Sequence, residues 1–72
     1  MITVYSKDSC TKCNQAIMLL KMKGVEHEVL KLGVDYDYDK AVELSNGQKD
    51  FPLIYAGDKH LGGLEQLKEY LK

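Results

Sequence analysis

Ile2-Thr3-Val4-Tyr5-Ser6-Lys7-Asp8-Ser9-Cys10-Thr11-Lys12-Cys13 is the stretch whose reading decides the fold. It opens with β-branched and aromatic residues, crosses a polar turn, and delivers both cysteines of the chain to the start of an amphipathic helix. Asp8 or Ser9 is the expected N-cap, with the helix running from about Cys10 to Lys23. Ala16, Ile17 and Leu20 carry its apolar spacing, Met18 and Leu19 broaden the stripe, and Gly24 supplies a stop. Two thiols at i and i+3 in a first turn share one face, so dithiol redox chemistry is the expectation. A stapling bridge is the poorer reading, because a four-residue loop stabilises by only roughly 2 kcal/mol against about 4.7 kcal/mol for a 100-residue loop.

Beyond the dithiol, Val25, His27, Val29 and Leu30 alternate with Glu26, Glu28 and Lys31, predicting a second strand and a right-handed βαβ unit. Asp35-Tyr36-Asp37-Tyr38-Asp39 spaces carboxylates like a calcium loop, but Lys40 stands where glycine is required and Asn46 where glutamate is required. The segment is instead an acidic helix start, with Tyr38, Ala41, Val42 and Ser45 on one face and Asn46-Gly47 closing the helix. Phe51 to Ala56 reads as a strand with Pro52 at its start, Gly57-Asp58 as a turn, and Lys59-His60-Leu61 as a short return strand. Gly62-Gly63 leads into Leu64, Leu67 and Leu71 at helical spacing, a helix expected to reach the last residue. The predicted order is β-α-β-α-β-β-α, in one domain over residues 1–72.

Composition narrows the function classes. At 44% hydrophobic, 29% charged and net charge −1 the chain reads as a globular domain. Every basic residue is lysine, so the bidentate fork that reads phosphates and guanine edges is missing and nucleic acid is not expected as a partner. No apolar run approaches the ~20 residues of a membrane helix, and Met1-Ile2-Thr3-Val4 lacks the basic start of a signal peptide. No membrane association, a cytoplasmic location and a monomer are expected, and in that compartment a close dithiol cycles rather than persists as a bridge. A zinc finger fails on spacing, because His27 and His60 lie far apart in sequence; each is read as a strand-surface residue. No metal site is expected. Tyr36, Tyr38, Tyr55 and Tyr70 are read as packing residues, with Tyr5 left open.

Cys10 is the better nucleophile, since it lies nearest the helix end, where a thiolate is favoured, with Lys7 and Lys12 close in sequence. Cys13, one turn in, would resolve the mixed disulfide. Gly62-Gly63 allows a ligand backbone to approach, and the next helix start suits a carboxylate.

With these residues in hand, the chain resembles the glutaredoxin family over nearly its full length. The matches are Tyr5-Ser6-Lys7 running into Cys10-Thr11-Lys12-Cys13, then Phe51-Pro52, then Gly62-Gly63-Leu64-Glu65. Gly47 before Pro52 and Gly62 after it keep the family spacing. The resemblance implies an α/β thioredoxin fold, a four-stranded mixed sheet with three helices. It also implies a cis Pro52 and no bound cofactor. Glutathione would be the reducing co-substrate, lying against Lys7, Thr11, Lys12, Phe51, Pro52, Gly62, Gly63, Leu64 and Glu65. Thr11 and Lys12 depart from the usual Cys-Pro-Tyr-Cys, Asp50-Phe51 from Thr-Val, and Glu65 from aspartate. Glutathione binding is therefore expected to be weak. The activity implied is reduction of protein or mixed disulfides. The chain is also similar to the glutaredoxin-like hydrogen donors of ribonucleotide reductase, which take electrons from thioredoxin reductase. Leu61-Gly62-Gly63-Leu64-Glu65-Gln66 replaces their Trp-Ser-Gly-Phe-Arg-Pro signature. Iron–sulfur carriage, which some glutaredoxins perform, is a third alternative, and the second motif cysteine argues against it.

Overall fold

A computed structural model describes all 72 residues. Strand β1 (Ile2–Ser6) is central in a mixed sheet of order β2-β1-β3-β4. It pairs in parallel with β2 (His27–Lys31) and antiparallel with β3 (Leu53–Ala56), which turns back into β4 (Lys59–Gly62). Helices α1 (Thr11–Met22), α2 (Tyr38–Ser45) and α3 (Leu64–Tyr70) complete the β-α-β-α-β-β-α order.

Period-2 alternation along β1 sends Ile2 and Val4 into the core, where they meet Ala16 and Leu20 of α1, Ile54 of β3, and Leu64 and Leu67 of α3. Leu20, Ile54 and Leu67 are fully buried, and each stabilises by about 1.5–3 kcal/mol relative to exposure. Thr3 and Tyr5 face the opposite side. There Tyr36, Tyr5, Tyr55 and His60 stand in a row from the loop after β2 across β1 and β3 to β4. Neighbouring ring centroids are 5.3, 5.7 and 5.2 Å apart, and the two tyrosine pairs are edge to face.

Several boundaries differ from the sequence expectation. β2 begins at His27, because the Val25 amide closes α1 by donating to the Leu20 carbonyl and the His27 ring donates to the Val25 carbonyl. β3 begins at Leu53, since Pro52 has no N–H to donate to a ladder. Helix α3 ends at Tyr70, with Leu71 as its C-cap. Helix α2 turns Ala41 inward but leaves Tyr38 and Val42 exposed at 71% and 56%, so only a narrow stripe of the expected apolar face is covered. Met18 is also exposed, and Tyr70 packs less than expected.

The tyrosine row anchors the base of the dithiol loop. The Tyr36 hydroxyl donates to the Ser6 carbonyl at 2.7 Å, and the Ser6 hydroxyl donates to the Leu30 carbonyl at 3.0 Å. Burial pushes the Tyr36 phenol up to about 12, with Tyr5 adding to the shift, and burial raises Tyr55 in the same direction. A raised folded value means this contribution is complete below pH 10, the ordinary tyrosine value, and is lost as pH climbs toward 12. Tyr36→Phe should therefore flatten the fall in urea midpoint between pH 10 and about 12, the window from the ordinary to the folded value. An unchanged slope would show that Tyr36 ionises freely in the folded chain.

Candidate active site

The dithiol loop leaves the end of β1, and its backbone explains its placement. Ser9 takes a left-handed conformation (φ 56°), an uncommon one for a residue with a side chain, and Cys10 follows in extended geometry. The N-cap is thus Cys10, not Asp8 or Ser9, and its sulfur accepts the Cys13 amide at 3.2 Å. Asp8 is instead paired with Lys31 of β2, and this contact raises the Lys31 ammonium pKa.

Cys10 and Cys13 form a disulfide with Cα atoms 5.2 Å apart. Cys10 keeps 9% of its surface and Cys13 only 1%, so an incoming thiol or disulfide reaches the first sulfur before the second. A cleft of about 270 Å³ opens on Cys10, lined also by Lys7, Thr11, Lys12, Asp50 and Phe51. Lys7 Nζ sits 5.2 Å from the centre of the Phe51 ring, within cation–π range. The cleft shares Lys12, Asp50 and Phe51 with a groove of about 510 Å³ that extends to Gly62, Gly63, Leu64 and Glu65. That volume falls within the roughly 300–1,000 Å³ of small-molecule sites.

Every residue assigned from sequence therefore lines the cleft or the groove except Cys13 and Pro52, which are fully buried. The Phe51–Pro52 bond is cis, and the Pro52 carbonyl is taken by the Gln48 side chain at 2.7 Å. It is Phe51, not the proline ring, that faces the cleft.

Two glutamines carry structural roles that sequence pattern does not assign. Gln66 accepts the Gly63 amide at 2.9 Å, half of a capping box that closes the start of α3. Gln48 reaches three partners, among them His60, so His60, a half-buried strand residue as expected, also lines the groove with a defined bond. An i to i+3 glutamine after paired glycines was the one available sequence signal, and it pointed only to Gln66.

A cysteine N-cap on the helix that follows β1, with a cis proline just before β3 of a β2-β1-β3-β4 sheet, defines a thioredoxin-fold dithiol protein. A glutaredoxin family model matches residues 2–61. The probable glutaredoxin of Synechocystis is 33% identical over 67 residues, covering 92% of this chain and 76% of that protein. Glutaredoxin 3 of Escherichia coli is 31% identical over 68 residues, covering 92% of this chain and 80% of its own. Among solved structures, the buckwheat glutaredoxin–glutathione complex superposes with a TM-score of 0.76 at 27% identity, covering 94% of this chain. This chain spans 64% of the buckwheat chain's length. The chain belongs to the glutaredoxin family. Its members are thiol–disulfide oxidoreductases, and Cys10 with Cys13 forms a dithiol–disulfide pair suited to that chemistry.

Proposed function

We propose that the protein reduces protein disulfides or glutathione mixed disulfides with electrons from glutathione. The observation that carries this reading is the pair of adjoining cavities, one on Cys10 and one reaching the Gly62-Gly63 turn, that meet at Lys12, Asp50 and Phe51 and offer a small peptide thiol a place beside the reacting sulfur. In the reduced state the Cys10 thiolate attacks a substrate sulfur and the substrate thiolate departs with a proton. Either Cys13 then displaces the second thiol, forming the intramolecular disulfide, or a glutathione thiolate attacks the mixed disulfide. Two glutathione molecules return the disulfide to the dithiol, leaving one oxidised glutathione.

The γ-glutamyl carboxylate is assigned to the amides that open α3 at Leu64, with Glu65 toward the neighbouring ammonium. The glycyl carboxylate is left to Lys7, Lys12 or Lys49, all lining the cleft or the groove. A lysine ammonium at an exposed site contributes at most about 1 kcal/mol and is screened by salt, so binding is weak and falls with ionic strength. The same reading places the protein in a reducing compartment such as the cytoplasm, acting as a monomer on disulfide-bearing proteins.

Titrating reduced glutathione into the Cys13→Ser protein should shift the Phe51, Gly62, Gly63 and Leu64 amides, and Lys7→Ala should weaken the mixed-disulfide reaction. If those amides stay still while thioredoxin reductase reduces the wild-type protein readily, the protein is instead a hydrogen donor of the ribonucleotide reductase type.

A further inference from the structure

The two walls of the groove come from different parts of the chain. One is Asp50-Phe51 before β3; the other is the Gly62-Gly63 turn where β4 ends. The β3–β4 ladder shifts register between Ile54 and Tyr55 and ends at the Ile54–Gly62 pair, so backbone pairing holds Gly62 but reaches neither Gly63 nor the Asp50-Phe51 wall. A side chain spans the gap. The Gln48 amide nitrogen donates to the Asp50 carbonyl at 2.6 Å and to the Pro52 carbonyl at 2.7 Å. With both amide hydrogens committed to carbonyls, the Gln48 oxygen must face His60, and His60 Nε2 must carry the hydrogen of their 2.8 Å bond.

His60 is held in turn by β4 and by the Tyr55 ring, whose hydroxyl donates to the Leu44 carbonyl at 2.7 Å. The second wall rests on the same amide. A Cβ at Gly63 would lie 3.3 Å from Gln48 Nε2 and 3.7 Å from the Pro52 carbonyl oxygen.

We propose that Gln48 is a positioning residue for the glutathione reaction: with His60 it fixes the distance between the Phe51 backbone and the Gly62-Gly63 turn. This rests on the glutathione reading above. Neither residue touches the reacting sulfurs, so the pair acts on how the thiol is held and not on the exchange itself. Glutamate at position 48 has the same shape but no hydrogen for either carbonyl, and phenylalanine at position 60 keeps a ring against Tyr55 without the Nε2 donor.

Gln48→Glu and His60→Phe should each raise the KM for glutathione about three- to tenfold, the range a lost hydrogen bond spans, with kcat changing less than about twofold. The Cys10–Cys13 reduction potential should stay at the wild-type value, which a general loosening of the fold would not preserve. In the wild-type protein the Gln48 side-chain amide hydrogens should exchange slowly with solvent, and His60→Phe should speed them. An unchanged KM in both folded variants, or KM, kcat and potential moving together, overturns the proposal. So does fast exchange of the Gln48 amide in the wild type, a measurement that needs no variant to fold. If the wild type shows no saturation by glutathione, the glutathione reading fails on its own, and Gln48 amide exchange still decides whether the clamp exists.

Discussion

Cys10→Ser should abolish disulfide reduction altogether, whereas Cys13→Ser should retain turnover of glutathione mixed disulfides while losing most reduction of protein disulfides. The asymmetry follows from geometry. Cys10 borders the cleft and sits at the helix cap, where its sulfur accepts the Cys13 amide and feels the positive end of α1. Only a thiolate attacks a disulfide, so removing this one removes the first step. Cys13 is buried beneath it and acts only after a mixed disulfide has formed on Cys10. Where glutathione itself is the departing group, a second glutathione can do the same work from solution. A protein substrate held in a mixed disulfide has no such alternative of comparable effective concentration. Steady-state assays with a glutathionylated peptide and with a disulfide-bonded protein separate the two steps. Equal loss in both mutants would overturn this division of roles.

Gly62→Ala should cost about 2–4 kcal/mol of stability, with a drop in Tm of roughly 8–32 °C for a chain of this size. Gly62 has φ +125°, a region that side chains rarely adopt, and the added Cβ would meet Gln66 Cγ at 2.7 Å and Cβ at 3.0 Å. Gln66 cannot simply swing away, because its oxygen holds the Gly63 amide at the start of α3. The strain therefore falls on the wall of the groove, and glutathione use should fall more steeply than the thermal midpoint suggests. A variant with wild-type Tm and wild-type glutathione kinetics would show that the turn relaxes freely.

Much of this was readable in advance because it is local. The Cys10-Thr11-Lys12-Cys13 spacing, the alternation along β1, the stop at Gly24 and the Gly57-Asp58 hairpin all involve residues within one turn or one strand of each other. The cap was misread because serine and aspartate are the stronger capping chemistries, and nothing in sequence announces that Ser9 turns left-handed so that a sulfur takes the position. What stayed hidden is what crosses the sheet. Tyr36 meets Tyr5 and Ser6 from some thirty positions away, and Gln48 meets His60 twelve positions on. Those contacts depend on the strand order β2-β1-β3-β4, which a pattern of alternating residues does not encode. His60 looked like an ordinary strand residue for the same reason.

The cysteine cap of α1 ties two quantities together in a thermodynamic cycle. Reducing the folded chain and then unfolding it must cost the same as unfolding the disulfide form and then reducing it. A thiolate at Cys10 would be a stronger acceptor for the Cys13 amide than the disulfide sulfur that now takes it, so ionisation after reduction would strengthen the cap of α1. The difference in unfolding free energy between the two forms is therefore the difference in reduction potential between the folded and unfolded dithiol, at about 30 mV per 1.4 kcal/mol for two electrons. Any substitution that alters the cap in only one redox form moves stability and potential by the same free energy, so tuning the protein as a reductant also tunes which redox form resists unfolding.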